Sequence, residues 1–137
     1  MSAPTLAASV LLVRGGTDVE LFFVKRPARS GFMGNTYVFP GGKRDASDLV
    51  PRLQARLRGL DTKNLVERMQ GVGSEEEARA LVLTALRETF EESGVLLALH
   101  ADGRPVNVAC PMLGPRIREG RQRVHAGELS FLAFLEA

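Results

Sequence analysis

The amino-acid sequence predicts a single α+β domain. Two runs rich in aliphatic residues, 6–13 and 19–24, flank a break that contains two glycines, and this arrangement predicts a β-hairpin. Residues 75–92 combine an N-terminal capping signal with an apolar stripe and predict a long helix. The chain has 137 residues, of which 45% are apolar and 25% are charged, so it is long enough to build one hydrophobic core.

The elements between the hairpin and the long helix are short. Residues 25–35 contain a proline and two glycines and predict an irregular loop, and residues 36–39 predict a strand that leads into a glycine pair. Leucines at near-helical spacing predict a helix over 49–60, and residues 63–69 predict a further short helical turn.

The long helix has the clearest local signals. Ser74 and Glu77 form a capping-box pattern at its start, and Gly94 provides a stop at its end. Its predicted apolar stripe consists of Ala78, Leu81, Val82, Ala85, Leu86 and Phe90. After this helix, residues 95–99 predict a strand, 101–105 a turn, and 122–135 a last helix.

The end of the long helix carries an acidic face. Glu88, Glu91 and Glu92 stand at positions i, i+3 and i+4, which stacks three like charges where the helix dipole also disfavours them. Oxygen ligands of this kind suit a hard cation such as Mg²⁺ or Mn²⁺. The alternative is a solvated acidic face. The upstream pair Gly41 and Gly42, which alone would indicate only a tight turn, favours the cation site because the backbone can approach closely there.

Residues 87–95 (RETFEESGV) and the preceding Phe-Pro-Gly-Gly at 39–42 resemble the signature of the Nudix hydrolases, G-x5-E-x7-R-E-U-x-E-E-x-G-U with U aliphatic. Thr89 stands where an aliphatic residue is usual. Asp48 stands where the first glutamate is expected, and 38 residues separate it from Arg87 instead of seven. We interpret the difference as a 31-residue insertion inside the Nudix box. An interrupted box resembles the peroxisomal coenzyme A diphosphatase branch of the family.

The resemblance implies a fold, a reaction and a site. The fold is a Nudix-like α/β/α sandwich with a mixed sheet, here one domain over 1–137 with a helical insertion at 49–73. The reaction is hydrolysis of a nucleoside diphosphate linked to another moiety.

For the site, the resemblance implies that Glu91, Glu92 and the carbonyl of Gly41 hold Mg²⁺ or Mn²⁺. Glu88 is a further metal ligand or the base that takes a proton from water. Arg87 orients Glu88, with an ordinary surface salt bridge as the alternative, and the role of Asp48 stays open.

The substrate is less well defined by the sequence. The interrupted box favours coenzyme A or acyl-coenzyme A, although the arginine–glycine spacing of one group that cleaves coenzyme A is not met. Arg26, Arg29 and Gly42 are the candidate substrate contacts, and a plain basic loop is the alternative for the two arginines. A rival interpretation of the whole chain is a catalytically silent module that binds a nucleotide or a protein.

Composition limits the partners and the compartment. The net charge of +2 is small, and no basic stripe rich in aromatic residues points to nucleic acid, since the chain has no tryptophan and Tyr37 is its one tyrosine. The four arginines between residues 116 and 123 either meet phosphate or form a solvated helix face. The run at 6–13 is too short to span a membrane. Cys110 is the single cysteine, so no internal disulfide can form, and a cytoplasmic protein is expected.

The sequence after the box predicts an incomplete domain. Nudix domains place several strands after the box, whereas 42 residues follow Val95 here. We therefore expect that the C-terminal part of the domain is missing and that the chain is an inactive fragment. The apolar residues expected to lack cover are Leu129, Phe131, Leu132, Phe134 and Leu135. Such a surface predicts poor solubility, self-association or a homodimer through the last helix.

Overall fold

The computed structural model describes residues 5–28 and 34–137. The strands are β1 (Ala7–Ser9), β2 (Val13–Arg14), β3 (Glu20–Leu21), β4 (Val24–Lys25), β5 (Tyr37–Val38) and β6 (Gly41–Lys43). A 3₁₀ turn at Ala46–Leu49 is followed by the helices α1 (Pro51–Gln54), α2 (Thr62–Arg68), α3 (Glu75–Ser93), α4 (Gly114–His125) and α5 (Phe131–Glu136).

The strands form three antiparallel pairs in the described residues. β2 pairs with β3, which confirms the predicted hairpin, and β4 pairs with β5. β1 pairs with β6 so that Ala8 lies opposite Gly42. The α+β class is thus confirmed, with these pairs in the place of the predicted mixed sheet. The pairing of β1 with β6 brings the glycine pair against α3, which also contacts β1.

Helix α3 begins and ends where the sequence predicts. The Ser74 hydroxyl accepts a hydrogen bond from the Glu77 amide at 3.1 Å, while the Glu77 carboxylate accepts one from the Gly73 amide at 2.9 Å. The second bond of the predicted capping box therefore goes to the residue before the cap. Gly94 ends the helix with a φ of 78°, a left-handed conformation that glycine adopts without strain.

The buried face of α3 is wider than the predicted stripe. Val82, Ala85 and Leu86 are only half-buried, while Ala80 and Leu83 are buried although the stripe omitted them. The complete set of buried positions is Ala78, Ala80, Leu81, Leu83, Thr84, Thr89 and Phe90. The reason is that α3 is covered from several sides, by α1, α2, α4 and the β1–β6 pair, so no single stripe describes its contacts.

Three predicted elements are wrong in extent. The helix over 49–60 is reduced to the single turn of α1, since Pro51 sets its start and Gly59 follows with a φ of 72°. The predicted helix over 122–135 is two helices, separated by Gly127 with a φ of 72°. Residues 95–99 form no strand; only an isolated bridge joins Leu99 to Pro105.

The aromatic core joins α3 to the C-terminal helix. The Phe90 ring stacks on Phe134 with centroids 4.7 Å apart, and Phe131 lies 6.0 Å from Phe90. Gly120 on α4 permits this packing, because a Cβ there would lie 2.4 Å from the Phe134 ring. Phe131 is buried, and the other apolar residues of this segment are partly buried. The prediction that the C-terminal apolar residues have no cover within the chain is therefore wrong.

Among the helices of the described residues, none combines the length and apolar character that a membrane crossing requires.

Candidate active site

The glycine pair lies directly against the acidic end of α3. The Gly41 amide donates a hydrogen bond to Oε2 of Glu92 at 3.0 Å. A Cβ on Gly42 would lie 2.4 Å from Cδ of Glu88, and a Cβ on Gly41 would lie 2.3 Å from the carbonyl oxygen of Ala8. Neither position has room for a side chain. The close approach expected from the sequence is therefore present, across a separation of 51 residues between Gly41 and Glu92.

Arg87 connects the carboxylates to one another. Its Nη1 donates to Oε1 of Glu88 at 2.8 Å and to Oε1 of Glu91 at 3.0 Å. The Arg87 side chain is 11% exposed, so these are not the solvated surface pairs that contribute little. Burial by itself lowers the pKa of Arg87, but hydrogen bonds to Asp48 and Glu91 outweigh it and raise that pKa above its ordinary value.

Asp48 is the member of the cluster whose role the sequence left open. Its side chain is fully buried, and Arg87 binds it with both Nε and Nη2, at 2.9 and 3.0 Å. Asp48 also accepts hydrogen bonds from the Thr84 hydroxyl at 2.8 Å and from the Asp45 amide at 2.9 Å. The signal for this role was present in the sequence, since Asp48 follows Gly42 at the spacing of the first box glutamate.

The charged forms of the two carboxylates nearest the end of α3 are disfavoured by their surroundings. Burial raises the pKa of Glu91 above its ordinary value, and repulsion by Glu88 adds to this, while Arg87 partly opposes it. Burial likewise raises the pKa of Glu92, with the Gly41 amide opposing and Glu88 adding. A cation at this end of α3 would relieve both.

The three carboxylates at the end of α3 have the chemistry that a hard divalent ion requires, but their oxygens do not point to one common centre. Within residues 5–28 and 34–137, no three acidic, histidine or cysteine side chains form a ready-made metal cluster. Glu88 and Glu91 are turned to Arg87, and Glu92 is turned to the Gly41 amide. The second oxygen of Glu91, Oε2, lies 4.0 Å from Nδ1 of the exposed His125. The set is half-buried, oxygen-only and mutually repelling, which matches the preference of Mg²⁺ and Mn²⁺.

A cavity of about 480 Å³ opens beside the glycine pair. It is lined by Ala7, Ala8, Ser9, Arg26, Val38, Phe39, Gly41, Gly42 and Lys43. Arg26 also attracts the Glu92 carboxylate electrostatically, so one cation of the cavity wall acts on the acidic cluster. The structure thus puts two of the three candidate substrate residues, Arg26 and Gly42, on this cavity. Arg29 lies outside the described residues.

Comparison with known proteins identifies the class. No family model matches the chain. The fold is similar to the crystal structure of a Nudix hydrolase from Alicyclobacillus acidocaldarius, with a TM-score of 0.56 and 26% sequence identity over 97% of this chain and 56% of that one. With the box residues assembled on α3 and β6, the chain belongs to the Nudix hydrolase family.

Two curated relatives are similar to part of the chain in sequence. The chain is 36% identical over 133 residues to the acyl-coenzyme A diphosphatase NUDT19 of Gallus gallus, covering 72% of this chain and 33% of the relative. It is 31% identical over 100 residues to the protein of the same name from Xenopus laevis, covering 61% and 26%. The chain therefore spans about a third or less of the length of these curated relatives.

Proposed function

We propose that this chain carries the catalytic residues of a hydrolase that cleaves the pyrophosphate bond of a nucleoside diphosphate linked to another moiety. The observation that carries the proposal is the contact of Glu88 and Glu92 with the glycine pair that lines the cavity. Arg87 holds Glu91 beside Glu88 in the same cluster. Pyrophosphate hydrolysis needs neutralisation of phosphate charge and alignment of a water molecule, and this cluster offers groups for both tasks.

Each residue of the cluster has a proposed role. Glu91 and Glu92, with the carbonyl of Gly41, hold Mg²⁺ or Mn²⁺, and Glu88 is a further ligand or the base that takes a proton from the attacking water. Such an ion, when bound, neutralises phosphate charge and lowers the pKa of bound water. Arg87 fixes Glu88 and Glu91 through the hydrogen bonds of its Nη1, and it is itself fixed by the buried carboxylate of Asp48.

Coenzyme A or acyl-coenzyme A is the proposed substrate class. The two relatives named acyl-coenzyme A diphosphatase support it, as does a cavity within the range of small-molecule sites, about 300–1,000 Å³. Arg26 and Lys43 on its wall would meet phosphate groups, and Gly42 would let the substrate approach the backbone. Arg29 is kept as a substrate candidate from its sequence position.

Product analysis tests the proposal. Coenzyme A, an acyl-coenzyme A and other nucleoside diphosphate derivatives are incubated with the chain in Mg²⁺, in Mn²⁺ and in chelator, and products are separated by chromatography. Cleavage of coenzyme A should give adenosine 3′,5′-bisphosphate and phosphopantetheine only when metal is present. Glu88→Gln should abolish cleavage, while Glu128→Gln, which changes an exposed carboxylate on another part of the surface, should not.

A silent nucleotide-binding or protein-interaction module is the second candidate. It is favoured by the orientation of the three carboxylates, which are turned to Arg87 and Gly41 and do not converge on one point. Nucleotide binding by calorimetry, with no product formed in either metal, would select this candidate. A cytoplasmic location and a homodimer remain predictions from the sequence, and the dimer is tested by light scattering.

A further inference from the structure

The carbonyl oxygens at the end of α3 are bound by an arginine from a different helix. Arg121 on α4 donates from Nε to the carbonyl oxygen of Glu91 and from Nη2 to that of Glu92, both at 2.9 Å. The last carbonyl groups of a helix have no partner within it, so each needs one from elsewhere. Arg121 supplies two of them at once.

The helix has a specific need for this contact. The last turn of α3 contains no basic residue, although a cation there is favourable and the acidic residues present are not. Arg121 brings a positive charge from α4 to this place. Its side chain packs beside Gly94, where a Cβ would lie 3.5 Å from Nη1 of the arginine. The bidentate geometry fixes the backbone in position as well as neutralising its charge.

We propose that Arg121 is a positioning residue for the carboxylates of Glu91 and Glu92. By holding the two carbonyl oxygens, it fixes the backbone from which both side chains extend. The Gly41 amide separately anchors the side chain of Glu92. The inference rests on the proposed metal-binding role of these glutamates. It goes beyond that role by assigning the geometry of the last turn of α3 to a residue of α4.

The change in Mn²⁺ affinity on replacing Arg121 distinguishes a positioning role from a purely electrostatic one, because the two roles predict changes of opposite sign. Removing a positive charge near two carboxylates would by itself strengthen binding of a divalent cation. Losing the arrangement of the ligands weakens it, and loss of a residue that supports metal ligands typically lowers affinity about 10–100-fold. We expect Arg121→Ala to weaken Mn²⁺ binding about tenfold, measured by electron paramagnetic resonance on the full chain. Arg123→Ala removes the same charge from an exposed position of α4 and should leave affinity within about twofold.

A metal-free measurement accompanies the titration. The Gly94 amide donates to the Phe90 carbonyl at 2.9 Å beside the Arg121 side chain, so its hydrogen exchange reports the order of this helix end. Exchange at Gly94 should be faster in Arg121→Ala than in Arg123→Ala. Arg121→Lys keeps the charge without the planar fork and should bind Mn²⁺ more weakly than the unmodified chain. If Arg121→Ala does not fold, this variant decides.

The outcomes separate the two proposals. Mn²⁺ affinity in Arg121→Ala equal to or tighter than that of the unmodified chain overturns the positioning role, as does unchanged exchange at Gly94. If the unmodified chain binds no Mn²⁺, the proposed metal site is wrong, and the exchange comparison alone decides whether Arg121 holds the helix end.

Discussion

Replacing Asp48 by asparagine removes one charge from the buried part of the cluster with little change in volume. The aspartate accepts two hydrogen bonds from Arg87, one from the Thr84 hydroxyl and one from the Asp45 amide. Asparagine has only one carbonyl oxygen, so its NH₂ group must face at least one of these donors. Arg87 would keep its contacts to Glu88 and Glu91 but lose its ionic partner on the buried side.

The magnitude follows from burial. Breaking a buried ion pair by removing one partner costs about 3–5 kcal/mol. Asp48 is 0% exposed and the Arg87 side chain 11%, which places the pair in that class. Because Arg87 keeps two other carboxylate partners, we expect the lower end, about 3 kcal/mol. This is a large part of the roughly 5–15 kcal/mol by which native proteins are stable, and for a chain of this size it lowers Tm by about 10 °C.

Urea unfolding followed by circular dichroism at pH 7 in chelator measures the change. The slope of the transition should stay constant while the midpoint falls. Asp102→Asn is the matched control, since Asp102 forms an ion pair with Arg104 on the exposed surface, and its midpoint should not move measurably. Combining Asp48→Asn with Arg87→Gln should give less than the sum of the single effects, because both disrupt one interaction.

A loss of less than about 1 kcal/mol for Asp48→Asn would refute the reasoning, since that value is typical of an exposed pair. Strict additivity of the double variant would also refute it. In that case the stability attributed to Asp48 would come from its contacts to Thr84 and Asp45, and Arg87 would not depend on it.

Three further changes test other parts of the site. Thr89 is fully buried and its hydroxyl has no hydrogen-bond partner in the described part of the chain, so Thr89→Val should raise the free energy of unfolding by about 1 kcal/mol in urea titration; a loss contradicts this. Gly42→Ala should displace the Glu88 carboxylate and reduce hydrolysis about 100-fold with little change in the urea midpoint; unimpaired turnover contradicts it. Glu92→Gln should stabilise the metal-free chain at pH 7. Burial raises the native pKa of Glu92 above 4.5, so the carboxyl takes up its proton more readily in the folded chain than in the unfolded one. The free energy of unfolding of the wild-type chain therefore rises as the pH falls through that raised pKa. The advantage of the variant should therefore shrink in urea titrations towards pH 4.5, and an advantage independent of pH counts against the argument.

Local signals made α3 predictable. Ser74 offers a hydroxyl to the first turn, and Gly94 has the conformational freedom that the last turn needs, so both ends are set by neighbouring residues. Helical spacing alone predicts that the carboxylates of Glu88 and Glu91 lie on the same face of α3. The contacts of Glu88 and Glu92 with the glycine pair were expected from the resemblance to the Nudix box, because no local rule joins residues more than 40 positions apart.

The wrong predictions share a physical cause, which is dependence on distant partners. Residues 95–99 have strand-like composition, but a strand needs a neighbour, and only Leu99 finds a bridging partner. The cover provided for Phe134 depends on Phe90 and on the missing side chain of Gly120, neither of which is near it in sequence. The role of Asp48 was left open for the same reason, because its bond to Arg87 spans 39 positions and only the spacing of the box pointed to it.

The cluster of ion pairs is built from two lengths of chain that meet only after folding. One length ends with Asp48 and the other begins with α3, and an exposed turn at Gly71 lies between them. A backbone break at that turn would cut no hydrogen bond of the cluster and would leave each fragment with part of the charge. The glycine pair and Asp48 would be on one fragment, and Arg87 with the glutamates on the other. The chain is therefore suited to fragment complementation, in which formation of the buried ion pair between Asp48 and Arg87 reports that the two fragments have associated.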